Sequence, residues 1–248
     1  MRKILSLRGE AMRTRRLLLP ALVIAAAVMV NTRSELWEDR RVVTRVPTTV
    51  PAIALTLDDG PHYKMTPEIL AVLKDKGVRV TFFVLGENVD RSPDLLAREV
   101  ADGHEVAVHG YHHASLARLD KAHVTAELAN TERAIGREAG KPALFRPPGG
   151  SYNDTVFSAA RERGYTMVLW DIDPHDWARP PVDNVVGTVL RRAAPGSIVL
   201  LHDGQYPLPT AKALAIIIDR LRAEGYELVT VSELLQLYER RPAQLGIY

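Results

Sequence analysis

The chain has 248 residues, 46% of them hydrophobic and 25% charged, which is enough for one large globular domain or two small ones. It contains no cysteine, so disulfides and thiolate metal ligands are excluded, and any metal must be held by histidine and carboxylate side chains. Residues 1–50 hold 10 Lys/Arg and 4 Asp/Glu, whereas residues 51–248 hold 22 and 26. The main body is therefore mildly acidic, which argues against a nucleic-acid-binding surface.

Residues 1–30 are predicted to be an export segment. Three arginines within residues 13–16 precede an apolar run over 17–30, which has about the length of a signal-peptide core and is short for a membrane span. A buried N-terminal helix is the alternative. Cleavage of the segment, its retention as a membrane anchor and a true start at Met12 are all left open. We expect a secreted or cell-envelope protein that touches the membrane only through residues 17–30, if these are retained.

A polar linker is predicted over residues 31–50, followed by one domain over 51–241 and a short tail over 242–248. Seven strand-like apolar runs alternate with helical stretches in this domain. The runs are Ile53–Leu57, Val80–Leu85, Glu105–Val108, Ala143–Phe145, Met167–Trp170, Ile198–Leu201 and Leu228–Val231. Strands that alternate with helices pair in parallel through right-handed crossovers. We expect an α/β fold and a (β/α) barrel slightly short of the eightfold form, with a doubly wound open sheet as the alternative.

Two adjacent carboxylates, Asp58 and Asp59, end the first predicted strand and are followed by the turn pair Gly60-Pro61. Neighbouring acids at the end of a buried strand repel each other and are costly to desolvate, which favours a positive group there, most simply a metal ion. Because side chains alternate along a strand, the two carboxylates point in different directions and can have different roles. The alternative is a strand that ends in a solvated turn.

Ionisable residues also follow the other predicted strands, where the catalytic groups of (β/α) barrels gather. His109 and His113 follow the third strand, and their spacing lets both imidazoles reach one ion. Two histidines and one aspartate leave coordination positions open, which is typical of a catalytic zinc site. An acid pair among residues 171–176 suggests a glycosidase instead, but that interpretation leaves the two histidines unexplained.

Five ordered segments resemble the motifs of the polysaccharide deacetylases, carbohydrate esterase family 4, also called the NodB-homology domain. They are Thr56-Leu57-Asp58-Asp59-Gly60-Pro61, His109 to His113, Phe145-Arg146-Pro147-Pro148-Gly149, Asp173-Pro174-His175-Asp176-Trp177 and Leu200-Leu201-His202. The resemblance covers the whole body of the chain. It implies a distorted (β/α)7 barrel with one divalent metal, usually zinc, with cobalt or nickel possible. It also implies removal of N-acetyl or O-acetyl groups from glycans such as peptidoglycan, chitin or xylan.

The resemblance implies a role for each matching residue. Asp59, His109 and His113 would be the metal ligands. Asp58 would be the general base that takes a proton from the metal-bound water. His202 would be the general acid that protonates the departing amine.

Five further residues would support these groups. Arg146 would orient the base, and Asp176 would tune the acid histidine through a hydrogen bond. The backbone N–H of Gly149 would stabilise the oxyanion, together with the metal. Trp177 would form one wall of the groove, and Leu200 would line the pocket for the acetyl methyl group.

Three positions depart from the pattern of the family, which usually has Phe at Leu57, Tyr at Gly149 and Ser or Thr at Gly110. The missing Tyr ring leaves the substrate preference open. We expect a metal-dependent deacetylase of N-acetylated glycans, either peptidoglycan N-acetylglucosamine or chitooligosaccharide. An O-acetyl xylan esterase, a non-catalytic carbohydrate-binding barrel and a hydrolase of small amides are the alternatives. The oligomeric state is left open.

Overall fold

The computed structural model describes residues 42–136 and 138–239, which form one compact unit of strands and helices. The strands are β1 Ala52–Asp58, β2 Thr81–Val84, β3 Glu105–Val108, β4 Leu144–Phe145, β5 Thr166–Met167, β6 Ile198–His202 and β7 Glu227–Val229. The helices are α1 Met65–Lys76, α2 Gly86–Arg91, α3 Pro93–Ala101, α4 Lys121–Ile135, α5 Asp154–Glu162, α6 Val182–Arg192, α7 Thr210–Ala223 and α8 Val231–Glu239. Short 3-10 turns occur at Leu116–Arg118, Pro148–Gly150 and Asp176–Ala178. All seven predicted strands are present.

The strands form one parallel sheet in the order β5-β4-β3-β2-β1-β6. β6 pairs with one edge of β1. The other edge of β1 pairs with β2 along its C-terminal half and with β7 along its N-terminal half. Beyond β5, Ile172 makes an isolated parallel bridge to Val199 of β6, which connects the two ends of the sheet. β1 to β5 follow one another without the reversal of a doubly wound sheet. The predicted distorted barrel is therefore confirmed. Residues 43–45 also link its two ends, because Val43 bridges to Val168 beyond β5 and Arg45 bridges to Ser197 before β6.

Side chains of β1 alternate between two apolar clusters, as a strand buried on both faces requires. Ile53, Leu55 and Leu57 pack in the larger cluster, together with the helices. Ala52 and Ala54 pack in the smaller cluster, inside the barrel, with residues of the other strands. Asp58 continues the inward-facing series of β1, so the period of two directs it into the barrel, while the chain turns at the next residue.

Residues 42–50, the end of the predicted linker, pack against the barrel. Val43 bridges to Val168, and Val46 is almost completely buried and donates its N–H to the carbonyl of Gly196 over 2.9 Å. The folded unit therefore begins at Val42, ahead of the predicted boundary at Pro51, because these valines join the inner apolar cluster. The predicted export segment and C-terminal tail lie outside the described residues. Within the described part of the chain, no helix has the length and apolar character needed to cross a membrane.

Candidate active site

The two carboxylates at the end of β1 diverge, as the alternation of a strand predicts. Asp58 is the last residue of β1 and is buried. Asp59 follows with a φ of 75°, in the left-handed region, and its Oδ1 lies 3.3 Å from Nε2 of His109 and 3.3 Å from Nε2 of His113. His113 also has a left-handed backbone, with a φ of 57°. Non-glycine residues in this region are strained, and such strain clusters at functional sites.

Asp59, His109 and His113 form a donor set that fits one divalent cation. Their potential ligand atoms all lie within 4.8 Å of one another. Oδ1 of Asp59 is buried, and no hydrogen-bond donor among the described residues satisfies it. Nδ1 of His109 is 2.8 Å from the carbonyl oxygen of Arg146, which leaves Nε2 facing Asp59. One carboxylate and two imidazoles, with one ligand position or more left open, are a donor set suited to zinc and similar ions.

The carboxylate of Asp59 is held in its charged form. Burial alone raises its pKa, but the close approach of His109 and the positive charges of His109, His113 and His202 outweigh burial and lower the pKa to about 2. A ligand must be deprotonated to bind a metal. Asp59 therefore meets this requirement at neutral pH.

Arg146 is completely buried and fixes Asp58 from inside the barrel. Its Nη1 donates to Oδ1 of Asp58 over 2.6 Å and to the hydroxyl of Thr56 over 2.8 Å. Its Nε and Nη2 donate to the carbonyl oxygens of residues 168–169, and its guanidinium lies 4.0 Å from the ring centroid of Phe83. One oxygen of Asp58 is thus bound, while Oδ2 remains on the side of the histidines.

His202, at the end of β6, faces the same site and is held by Asp176. Oδ1 of this completely buried carboxylate lies 2.7 Å from Nδ1 of His202, and Oδ2 accepts from the main-chain N–H of His202 over 2.9 Å and from the hydroxyl of Thr210 over 2.5 Å. Burial lowers the pKa of His202, but Asp176, with smaller contributions from Asp58 and Asp59, raises it to about 9. A pKa of about 9 favours the protonated imidazole at neutral pH, and no residue in the described part of the chain bonds to its Nε2.

These groups share one open cleft of about 330 Å³ at the C-terminal ends of the strands. The cleft is lined by Asp58, Asp59, His109, His113, Gly149, Trp170, Asp173, Trp177, Leu200, His202 and Gln205. Eight of the ten site residues predicted from the sequence line it. The other two, Arg146 and Asp176, lie behind it and are hydrogen-bonded to residues that do. The structure therefore brings all ten together.

Gly149 marks an open part of the cleft wall. Its φ is 61°, and a Cβ atom added there would meet no atom within 4 Å. A side chain at this position would project into free space, at the cost of a strained left-handed backbone. Leu57, the other main departure, is completely buried in the cluster that faces the helices and does not line the cleft.

Sequence reasoning missed three residues that line the cleft, Trp170, Asp173 and Gln205, and the buried Asp203 that follows His202. The sequence favours a core role for Trp170, but this residue lines the cleft. Asp203 has the sequence context of a turn residue, but it is completely buried and accepts a hydrogen bond from the hydroxyl of Thr66 on α1. Burial raises the pKa of Asp203 to about 7 against the opposing effect of Thr66, and the charges of Asp59 and Asp58 add to the rise. In the sequence, the position of Asp203 directly after His202, at the end of a predicted strand, could have indicated that it belongs to the site.

Glu127 of α4, also missed, ties down the loop between the two candidate histidine ligands. Its Oε2 accepts from the main-chain N–H groups of Tyr111 and His112 over 2.8 and 3.0 Å, and its Oε1 lies 2.7 Å from Nδ1 of His112. Burial raises the pKa of Glu127, but these hydrogen bonds outweigh it and the net shift is downward. Its place on the buried face of α4, between Val124 and Leu128, was the signal that could have found it.

Comparison with known proteins gives matching results from sequence and from structure. Residues 45–168 match the family model described as polysaccharide deacetylase. A peptidoglycan-N-acetylglucosamine deacetylase of Bacillus cereus is 40% identical over 207 residues, which cover 82% of this chain and 97% of that protein. A chitooligosaccharide deacetylase of Bradyrhizobium sp. is 40% identical over 198 residues, 74% of this chain and 90% of the relative.

The fold comparison extends over the same region. The crystal structure of the Bc1960 peptidoglycan N-acetylglucosamine deacetylase superposes with a TM-score of 0.78 at 33% identity and covers 82% of this chain and 96% of that one. Relatives at this identity that are matched over nearly their whole length share the fold. This chain therefore belongs to the polysaccharide deacetylase family, carbohydrate esterase family 4.

Proposed function

We propose that the protein is a metal-dependent hydrolase that removes N-acetyl groups from glycans, with peptidoglycan N-acetylglucosamine or chitooligosaccharide as its substrate. The observation that carries the proposal is the Asp59–His109–His113 donor set in the same cleft as Asp58 and His202. Relatives named for these two substrates support it.

Asp59, His109 and His113 would hold one divalent cation, with zinc preferred and cobalt or nickel suited to the same nitrogen and oxygen donors. When bound, the cation supplies Lewis-acid activation of the attacking water and of the acetyl carbonyl. Arg146 holds the ring of His109 through its main-chain carbonyl, so the same residue orients a ligand and the adjacent base.

Asp58 is the general base in this proposal. Arg146 binds its Oδ1, and Oδ2 lies 3.6 Å from Nε2 of His109, at the edge of the donor set. Oδ2 is therefore placed to take a proton from a water that attacks the acetyl carbon. The Arg146 contact keeps the carboxylate in this orientation.

His202 is the general acid. Asp176 holds its Nδ1, so the protonated Nε2 is available to the amide nitrogen of the substrate. As the carbon–nitrogen bond breaks, this nitrogen takes the proton and leaves as a free amine, and the acetyl group leaves as acetate. Gly149 would donate its N–H to the oxyanion, Leu200 would contact the acetyl methyl group, and Trp177 would form a wall of the groove.

Replacing Asp176 with asparagine is expected to move the alkaline limb of the pH–rate profile to lower pH. His202 must carry a proton to donate it, so the rate falls as the pH rises through its pKa, which is about 9 with Asp176 present. Without this carboxylate the pKa falls towards 6.5, and the limb in kcat/KM should move down by roughly 1–3 pH units. Asp173→Asn, in the same loop, should leave the limb in place. An unchanged limb in Asp176→Asn would contradict the assignment.

Glu127→Gln is expected to weaken zinc binding about 10- to 100-fold, because the amide cannot accept all the bonds that hold the loop between His109 and His113. Competition with a chromophoric chelator measures this affinity without any turnover. Glu132→Gln is the matched control, since Glu132 lies on the same helix and its carboxylate accepts from Arg163, away from the histidine loop. Equal zinc affinity in both variants would show that Glu127 does not support the loop.

The proposal is tested by acetate release from chitotetraose, peptidoglycan fragments and O-acetylated xylan, with and without a chelator. We expect release from the first two substrates, loss with the chelator and recovery with added zinc. Release from xylan alone would identify an O-acetyl xylan esterase. Firm glycan binding with no release and no bound metal would identify a non-catalytic carbohydrate-binding barrel.

We also propose that the protein works outside the cytoplasmic membrane, because its substrates lie in the envelope or beyond it and residues 17–30 suit export. Fractionation of cells that produce the full chain or a version lacking residues 1–30 tests this. Retention of the full chain in the cytoplasm would overturn it.

A further inference from the structure

Exposed aromatic side chains are concentrated around the cleft. Within the described residues, the large apolar side chains with high exposure include four aromatic ones, Tyr63, Tyr152, Trp177 and Tyr206. They follow β1, β4, β5 and β6, respectively, so all four lie at the end of the barrel that carries the site. Exposed aromatic rings offer an apolar face with a polar edge, which suits the face of a sugar ring. The rings therefore indicate a glycan surface that extends beyond the cleft.

Two of these rings and a lysine form a cluster beside the cleft, where the loops after β1 and β6 meet. Nζ of Lys64 lies 5.4 Å from the ring centroid of Tyr63 and 5.3 Å from that of Tyr206. Tyr206 also stacks on His62, with the ring planes 4° apart. Tyr206 follows Gln205, which lines the cleft. The cluster thus borders the space in which the reacting sugar would lie.

A second cation, Arg179, also contacts the loop that carries Tyr206. Nε of Arg179 donates to the carbonyl of Pro207 over 3.0 Å, and Nη2 donates to Oε1 of Gln205 over 3.4 Å. Neither Arg179 nor Lys64 pairs with a carboxylate among the residues that the structure describes. We call Tyr63, Lys64, Arg179 and Tyr206 the Tyr206 rim.

Unpaired cations here are not the product of a basic surface, because residues 51–248 hold 22 Lys/Arg against 26 Asp/Glu. Among the described lysines, the half-buried Lys76 and the exposed Lys121 have acidic partners, whereas the exposed Lys74 has none. The position of Lys64 between two aromatic rings beside the cleft distinguishes it from Lys74. The ammonium group of Lys64 lies between two aromatic rings and is exposed to solvent. It has no carboxylate partner among the described residues. Such a cation is available to an anionic ligand.

We propose that the Tyr206 rim is a subsite for a sugar that carries a carboxylate substituent, next to the N-acetylglucosamine that reacts. The tyrosine rings would contact the sugar face, and Lys64 and Arg179 would donate to the carboxylate. The subsite rests on the proposed function. It predicts that the protein prefers peptidoglycan over chitooligosaccharide, the two substrates named there. In peptidoglycan every second sugar carries a lactyl substituent, whose carboxylate is free where no peptide is attached and is otherwise amide-bonded to a peptide with carboxylates of its own. Chitooligosaccharide is neutral.

Binding of two tetrasaccharides of equal length to the full chain tests the subsite. One is chitotetraose, and the other is a peptide-free peptidoglycan tetrasaccharide with free lactyl carboxylates. Tryptophan fluorescence can follow binding in the presence of a chelator, so that no turnover occurs. We expect the acidic sugar to bind about tenfold more tightly at low salt, and Lys64→Gln and Arg179→Gln each to remove most of this preference. Added salt should reduce the preference in the wild type.

Lys74→Gln is the matched control, because Lys74 is exposed near the other end of α1 and should leave both affinities unchanged. Conversion of the lactyl carboxylates to methyl amides should remove the preference while keeping the bulk of the substituent. Equal affinities for the two sugars in the wild type, or an equal loss for both in Lys64→Gln, would overturn the subsite. Since binding is measured without turnover, this outcome is distinct from a failure to release acetate, which would overturn the proposed function.

Discussion

Asp58→Asn is expected to lower kcat for acetate release by about 100- to 10,000-fold, the usual contribution of a positioned general base. Asparagine has nearly the same shape and its side-chain oxygen can still accept from Arg146, so the contact that orients the residue survives. It cannot take a proton from water at neutral pH. The loss should therefore appear in kcat, with little change in glycan binding.

The metal content of the same preparation decides between two roles for Asp58. A general base can be replaced without loss of the ion, whereas replacement of a ligand lowers affinity, so Asp59→Asn serves as the comparison. We expect Asp58→Asn to retain one zinc per chain after dialysis and Asp59→Asn to lose it. Asp75→Asn, on the exposed surface of α1, controls for a general effect of removing an acid. Full activity in Asp58→Asn would contradict the base assignment, and loss of zinc would make Asp58 a ligand.

Arg146→Met is expected to lower the free energy of unfolding by about 3–5 kcal/mol. Arg146 has no exposed surface, and its guanidinium bonds to Asp58, Thr56 and two main-chain carbonyls. Without it, the carboxylate of Asp58 stays inside the barrel with no cationic partner, and the carbonyls lose their donors. Urea unfolding followed by circular dichroism measures the change.

A double-mutant cycle separates the ion pair from the other contacts of Arg146. In Asp58→Asn with Arg146→Met, no buried charge is left unpaired, so the double variant should lose less stability than the two single variants together, by about 0.5–3 kcal/mol. Arg98→Met, on the exposed surface of α3, is the control for loss of an arginine side chain. Strict additivity would mean that the pair contributes no coupling.

The departures of this chain from its family differ in their consequences. Leu57 faces the helices from its position in β1, so this change is confined to core packing. Gly149 leaves open space in the cleft wall. Substrate preference should therefore depend on Gly149 and on the loops around the cleft, and not on Leu57.

The sequence by itself determined the strands, their alternation with helices and the residues at the strand ends, while the choice between a barrel and an open sheet needed the strand order of the structure. Side chains in β1 alternate with a period of two, strands alternate with helices, and barrel sites form at the C-terminal ends of strands. All three regularities are local or topological, so they can be recognised in the sequence. These regularities are enough to place Asp58, Asp59, His109 and His202 at one end of the barrel. The order of the motifs then identified the family.

Only the tertiary structure decided how these groups are held. Arg146 reaches Asp58 across 88 positions of sequence, Thr66 reaches Asp203 across 137, and Val43 pairs with Val168. Such contacts depend on which side chains the barrel brings together, and no local pattern records that. The same holds for Glu127, whose acidic side chain on an apolar helix face gains its partners only when α4 packs beside the histidine loop. The pKa shifts in this site, and the hydrogen bonds that hold its side chains, depend on burial and on partners that are distant in sequence. They cannot be read from residue type alone.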